Sequence, residues 1–108
     1  MARYRFMRII IIFDLPVGTK EERKQAAGFR RSLIKDGFYM MQFSIYGRLC
    51  NGNNDVKKHL NRIGKNLPSK GSVRAIVLTE QQYTDIKLLL GTKTEIEKAY
   101  QSNQLTIF

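Results

Sequence analysis

Asp14 is the residue whose type and position best suit chemistry. It directly follows Met7–Phe13, a nearly continuous apolar run rich in β-branched residues, which predicts a central strand buried on both faces. A carboxylate at the end of such a strand can bind Mg²⁺, which prefers oxygen ligands and keeps several waters. No acidic residue follows in the loop until Glu21, so two copies of Asp14 would have to meet across a dimer axis. Alternatively, the carboxylate only hydrogen-bonds the turn 15–18.

The remaining reactive side chains argue against several enzyme classes. His59 is the sole histidine, which excludes a two-histidine metal site, and its lysine-rich segment predicts a solvated side chain or a phosphate contact. Ser44 has neither a glycine elbow nor a nearby histidine, so a hydrolase triad has no support. Cys50 is the only cysteine, which excludes an intrachain disulfide and fits a reducing cytoplasm.

The charge balance indicates a polyanionic partner. The chain has 108 residues, with 19 Lys and Arg against 9 Asp and Glu, which gives a formal net charge of +10. So large a surplus on a small domain causes self-repulsion unless a polyanion neutralises it, and nucleic acid is the first candidate. No stretch approaches the roughly 20 apolar residues that span a bilayer, so we predict no membrane partner.

The first helix carries the strongest binding signal. Thr19 and Glu22 predict a capping box, and Gly37 predicts a left-handed stop after Asp36. Steps of about 100° per residue predict an apolar face that packs on the sheet. That face consists of Ala26, Phe29 and Leu33. The opposite and flanking arc carries six cations: Lys20, Arg23, Lys24, Arg30, Arg31 and Lys35.

We expect these exposed cations to contact phosphates without regard to base sequence. Only three acids accompany the six cations of the helix, so the arc is not a balanced mixture of signs. The residues predicted to bind nucleic acid are Arg23, Lys24, Arg30 and Arg31. Three arginines of the basic leader are expected to extend this surface as an arm: Arg3, Arg5 and Arg8.

The order of elements predicts an α+β, ferredoxin-like βαββαβ fold with an antiparallel sheet and both helices on one face. After the first strand and helix we predict two short strands or one long bent strand over 38–50, with the bend near Ser44 and Gly47. A second helix capped by Asn53 or Asn54 and a strand at 73–79 come next. A helical turn at 80–85, a short strand at 86–90 and an extra C-terminal strand at 105–108 follow.

We expect one domain over 1–108, with a basic leader at 1–6 and a C-terminal extension at 91–108. The sheet face opposite the helices would be bare, and a second copy is the simplest cover for it, which predicts a homodimer.

Several segments together resemble the CRISPR-associated protein two family, whose members are small subunits of the spacer-acquisition machinery. The resemblance is carried by Asp14-Leu-Pro16, the basic first helix, Gly37 and Gln42-Phe-Ser-Ile-Tyr46. It implies a homodimer between two dimers of a CRISPR integrase subunit, acting as a scaffold for duplex DNA (prespacer and repeat). It also implies a second activity, a Mg²⁺-dependent nuclease or endoribonuclease with Asp14 as metal ligand and catalytic residue. Phe13 stands where a tyrosine often precedes that aspartate, which favours the scaffold over the nuclease.

Overall fold

The described part of the chain, residues 6–99 of a computed structural model, follows the expected order of elements. It contains β1 (Phe6–Asp14), α1 (Lys20–Lys35), β2 (Tyr39–Gln42), β3 (Ile45–Asn51), α2 (Asn53–Gly64), β4 (Ser72–Thr79), α3 (Glu80–Thr84) and α4 (Glu95–Ala99). The α+β fold with a four-stranded antiparallel sheet is therefore confirmed. The leader arginines Arg3 and Arg5 and the strand expected at 105–108 lie outside the described residues.

β1 is a central strand, as its apolar sequence predicts. The sheet has the order β2-β3-β1-β4, so β1 pairs with β3 on one side and β4 on the other. In this register Ile9 lies opposite both Arg48 and Val77, and side chains two residues apart share a face. Ile9 and Ile11 are fully buried on one face, and Ile10 is almost as buried on the other.

Both long helices pack on the face that carries Ile9. α1 contributes Phe29 and Leu33 to this core, and α2 contributes Val56 and Ile63. The ring of Phe13 at the end of β1 meets Phe29 edge-on, with 5.3 Å between ring centroids. The core thereby fixes which side of α1 faces the sheet and which side faces outward.

The predicted limits of α1 are confirmed. The Thr19 hydroxyl accepts a hydrogen bond from the Glu22 amide at 3.0 Å, and the Glu22 carboxylate accepts one from the Thr19 amide, which completes the capping box. Gly37 adopts φ +89°, so the chain leaves the helix through a left-handed residue.

The β2–β3 connection bends where the sequence suggested. Ser44 has φ +65°, and its carbonyl accepts a hydrogen bond from the Phe13 amide at 3.0 Å, which ties the tip to the end of β1. By contrast, neither asparagine caps α2: Gly52 is the N-cap residue and makes no side-chain hydrogen bond. β3 ends at Asn51 and the helix begins at Asn53, so Gly52 is the one residue between them and no asparagine occupies the cap position.

The expectation of a bare second sheet face is wrong for the described residues. After β4 the chain turns back over this face, where α3 contacts β1 and α4 contacts β2. Ile10 and Tyr39 are consequently buried there. Residues 86–90 form no strand within the described part, because they cross the face instead of pairing with an edge. Their apolar side chains are exposed, and Leu89 and Leu90 are 93% and 92% accessible.

Candidate nucleic-acid interface

The outer face of α1 presents the four cations that the sequence analysis selected. Arg23, Lys24, Arg30 and Arg31 are all exposed, on the side opposite the buried face of the helix. Within residues 6–99 none of the four forms an ion pair, so their charge is available to a ligand. Arg23 is also oriented, because its Nη1 donates to the carbonyl of Val17 at 3.1 Å.

The spacing of these cations suits a phosphate chain. Arg23 and Arg30 are seven positions apart, as are Lys24 and Arg31. Seven residues make almost two helical turns, so each pair lies on one side of the helix at about 10 Å along its axis. Successive phosphates of one DNA strand rise about 3.4 Å along the duplex, so this separation corresponds to roughly three nucleotides. Each pair can therefore contact two phosphates of one strand.

Acidic groups do not cancel this charge. Glu21 and Glu22 lie in the first turn of α1, where negative charge stabilises the helix N-terminus. The Glu22 carboxylate is already engaged, because it accepts from the amides of Gly18 and Thr19 at 3.0 Å. Positive charge therefore dominates the outward face from Arg23 onward.

Arg8 does not belong to a phosphate-binding arm, and that prediction is wrong. Its side chain is fully buried on the second sheet face, with Nε 2.7 Å from Glu80 Oε1 and Nη2 2.9 Å from Oε2. Burial disfavours the charge, but the hydrogen bond and the charge of Glu80 outweigh it and raise the pKa of Arg8 above its usual value. Strand alternation explains the error, because the residue before Ile9 must point to the opposite face.

Asp14 is exposed at the end of β1, as expected for a residue that could meet a metal or a second chain. The turn alternative has no support among residues 6–99, since no hydrogen bond there involves the Asp14 carboxylate and the Gly18 amide donates to Glu22 instead. No three His, Cys, Asp or Glu side chains within the described range come together to hold a metal. The described part of one chain therefore does not by itself supply a Mg²⁺ site around Asp14.

Gly71, just before β4, packs against the backbone that carries Asp14. A Cβ added at Gly71 would lie 2.7 Å from the Asp14 carbonyl oxygen and 2.8 Å from Leu15. The glycine also has φ +104°, a conformation that other residues rarely adopt. The position of the Asp14 turn therefore depends on this close approach, which the sequence analysis did not identify.

His59 is neither solvated nor exposed to phosphate, so both parts of that prediction are wrong. It is 3% accessible, with Nδ1 2.7 Å from Asp36 Oδ2 and Nε2 3.3 Å from Asp55 Oδ1. Asp36 also receives Arg62 Nη1 at 2.8 Å. The cluster joins the end of α1 to the middle and last turn of α2. The i,i+4 spacing of Asp55 and His59 was the local signal that could have indicated it.

Both carboxylates of this cluster are held in the charged form. Burial of Asp36 would raise its pKa, but the hydrogen bonds from His59 and Arg62 and the charge of Arg62 outweigh it, so the pKa lies below its usual value. The backbone amide of Asn51 is the main cause that lowers the pKa of Asp55, and Lys58 adds to it. The cluster therefore links α1 to α2 through ionised carboxylates.

None of the helices within residues 6–99 has the length and apolar character that crossing a membrane requires.

Comparison with known proteins agrees with this geometry. Residues 7–86 match the family model for CRISPR associated protein Cas2. A protein of Acidovorax ebreus named CRISPR-associated endoribonuclease Cas2 is 45% identical over 94% of this chain and 100% of its own length. Proteins of the same name from Ligilactobacillus salivarius and Campylobacter jejuni are 48% identical (94% of this chain, 98% of theirs) and 42% identical (100% and 76%).

A solved structure described as a crystal structure of cas2 has the same fold. It superposes with a TM-score of 0.58, covering 83% of this chain and 92% of the other at 14% sequence identity. The family model covers well over half of the chain, and several relatives exceed 40% identity across almost all of it. On these grounds the chain belongs to the CRISPR-associated Cas2 family.

Proposed function

We propose that the chain is a dimeric scaffold in CRISPR spacer acquisition, which binds the backbone of duplex prespacer DNA and bridges integrase dimers. The observation that carries this proposal is the outer face of α1, with four exposed cations that form no ion pair within residues 6–99. Such a face holds phosphates through charge and does not read bases. A scaffold for DNA of varying sequence needs this kind of contact.

A second copy accounts for the apolar surface that the described residues leave exposed. Ile76 on β4 is 40% accessible and lies on the same face as Ile10, opposite it in register. Residues 86–90, called the leucine segment below, lie over this face with Leu89 and Leu90 almost fully accessible. Exposed apolar side chains of this kind mark an interaction surface. A homodimer buries the same surface on both subunits and brings two basic α1 helices into one particle.

The integrase partner rests on family membership. The resemblance seen at Asp14, in the first helix and at Gln42–Tyr46 is to subunits that lie between integrase dimers. In that arrangement the integrase cuts and joins DNA, and the small subunit needs a basic surface and no catalytic residue. The prespacer duplex and the repeat are accordingly the nucleic acids of the complex.

A reconstituted integration assay with the purified integrase, a prespacer duplex and a repeat-containing plasmid tests the scaffold. The variant Arg30→Gln/Arg31→Gln is expected to lose integration, because it removes two neighbouring cations from the proposed face. Lys93→Gln/Lys98→Gln is the matched control, since it removes two exposed charges from the C-terminal segment. Equal integration by both variants would contradict the proposal.

The second candidate is a Mg²⁺-dependent endoribonuclease in which two Asp14 carboxylates face each other across the dimer. It is favoured by the exposed position of Asp14 and by the printed name of the relatives. Mg²⁺ held there would lower the pKa of a bound water. Asp14→Asn separates the two functions: the scaffold predicts unchanged integration, whereas the nuclease predicts loss of metal-dependent RNA cleavage. Glu21→Gln, another exposed acid, is the control.

A further inference from the structure

Arg8 has a role that neither DNA binding nor catalysis explains. Among residues 6–99 it is the largest fully buried side chain, and it directly precedes the four isoleucines of the central strand. A charge in such a place is strongly unfavourable unless an opposite charge and hydrogen bonds compensate it. Its partner Glu80 is the first residue of α3, 72 positions later in the chain. The pair therefore joins β1 to the start of the segment that crosses the sheet.

Two tyrosines also contact the guanidinium. Arg8 Nη1 donates to the Tyr39 hydroxyl at 3.0 Å, and the Arg8 Cζ lies 4.2 Å from the centre of the Tyr83 ring. The two hydroxyls are 3.0 Å apart. Burial is the main cause that raises the pKa of Tyr39, so this phenol keeps its proton and can donate to Tyr83 while it accepts from Arg8.

These contacts fix α3 at two points on one side. Glu80 and Tyr83 are three positions apart, so they share a face of the short helix, and both meet the same guanidinium. The leucine segment starts two residues after α3 ends. Leu89 and Leu90 are almost fully accessible, so packing on their own subunit contributes little to their position. The direction in which this segment leaves the sheet is set at α3.

We propose that Arg8 is a positioning residue for the homodimer surface, because it fixes α3 so that the leucine segment is presented to a second copy. This inference rests on the homodimer of the proposed function. The carboxylate of Glu80 and the ring of Tyr83 must both meet the same guanidinium, which restricts the arrangement of α3, whereas an apolar contact would allow the helix to shift. The buried charge thus contributes orientation to a surface that is otherwise made of leucines.

The test compares Arg8→Met with Arg8→Met/Glu80→Met by hydrogen exchange in dilute protein and by sedimentation equilibrium. Arg8→Met is expected to raise the rate of amide exchange over residues 80–90 by at least about tenfold. It should also weaken the dimerisation constant by at least about tenfold, which equals about 1.4 kcal/mol. Exchange in α1 should stay unchanged. The double variant leaves no unpaired buried charge and should recover overall stability, yet its dimerisation should remain weak because an apolar contact does not fix α3.

Two further variants keep the result interpretable. Lys20→Met removes an exposed cation from α1 and should change neither measurement. Glu80→Gln keeps the side-chain size and removes the charge, so it tests the same point if Arg8→Met does not fold. Unchanged amide exchange over residues 80–90 would show that Arg8 does not fix α3. Raised exchange with unchanged dimerisation would overturn the positioning role alone. A wild-type chain that stays monomeric would refute the homodimer. The exchange data would still show whether Arg8 fixes α3.

Discussion

Replacing Asp36 with asparagine should destabilise the fold by about 2 kcal/mol at pH 7. The contact with His59 contributes most, since a hydrogen bond to a charged group is worth about 1.5–3 kcal/mol and the His59 side chain is only 4% accessible. The pair with Arg62 contributes little, because that side chain is 55% accessible and solvent screens the interaction. The new amide oxygen can still accept from His59, so the loss should stay below the full value.

The pH dependence distinguishes a charged tie from simple packing. The pKa of Asp36 is lower in the folded chain than its ordinary value of 3.8. A pKa that is lower in the folded than in the unfolded chain stabilises the fold. This stabilisation is fully present above the unfolded pKa and is lost as the pH falls through the folded pKa. The difference between wild type and Asp36→Asn should therefore shrink as the pH falls below about pH 4, where Asp36 takes up its proton. Asp55 titrates in both proteins, so its contribution cancels.

Urea unfolding at one fixed protein concentration, between pH 7 and pH 3, measures this difference. Glu21→Gln is the control, because it removes an exposed acid from the same helix and should cost no more than about 0.5 kcal/mol. A loss for Asp36→Asn below about 0.5 kcal/mol at pH 7, within the range of ordinary surface substitutions, would refute the reasoning. The same loss at pH 3 as at pH 7 would also refute it, since the carboxylate would then not act through its charge.

Two further predictions concern the turn after α1 and the single thiol. Gly37→Ala should destabilise the fold by about 1–3 kcal/mol in urea unfolding, because φ is +89° and the new Cβ would lie 2.7 Å from Arg48 Nη1. Gly64→Ala, in open space near the end of α2, should instead be neutral or stabilise by up to about 1 kcal/mol; equal losses would contradict this. Burial raises the pKa of the Cys50 thiol, and its side chain is inaccessible. A disulfide reagent at pH 8 should therefore react with this thiol only when the chain unfolds. Rapid labelling of the native protein would contradict this.

Local signals in the sequence were sufficient to predict α1 and β1. The capping box at Thr19 and Glu22, the helical spacing of the buried residues and the left-handed stop at Gly37 all act within a few positions of one another. The apolar run of β1 likewise required burial on both faces, and the register places it at the centre of the sheet. The exposed cations of α1 followed directly, because a helix that buries one face must present the other.

The pairing of Arg8 with Glu80 and of His59 with Asp36 could not be predicted in this way. Glu80 is 72 positions from Arg8 and Asp36 is 23 positions from His59, so only the folded sheet and helix pair bring them together. A basic residue near the start of a chain, or a lone histidine among lysines, is usually solvated. Both are buried here because an acid from a distant element compensates the polar group.

The leucine segment shows a different limit. An apolar run of five residues is typical of a strand, and we predicted one at 86–90. A strand also needs a neighbour with free backbone groups, and the described part of the chain supplies none at this place. The apolar pattern therefore predicted a strand that the described residues do not form, and in our proposal the same side chains are buried against a second copy.

The salt dependence of duplex DNA binding tests most directly whether the outer face of α1 holds the phosphate backbone. Fluorescence anisotropy is measured with two duplexes of unrelated sequence at several salt concentrations. It gives the slope of the logarithm of the association constant against the logarithm of the salt concentration, which is about −0.9 for each phosphate contact. Arg30→Gln/Arg31→Gln removes two contacts per subunit, so for a dimer the slope should become less steep by about 3 to 4 and the Lys93→Gln/Lys98→Gln control should keep the wild-type slope. A flat wild-type response, or the same slope in all three proteins, would contradict the account.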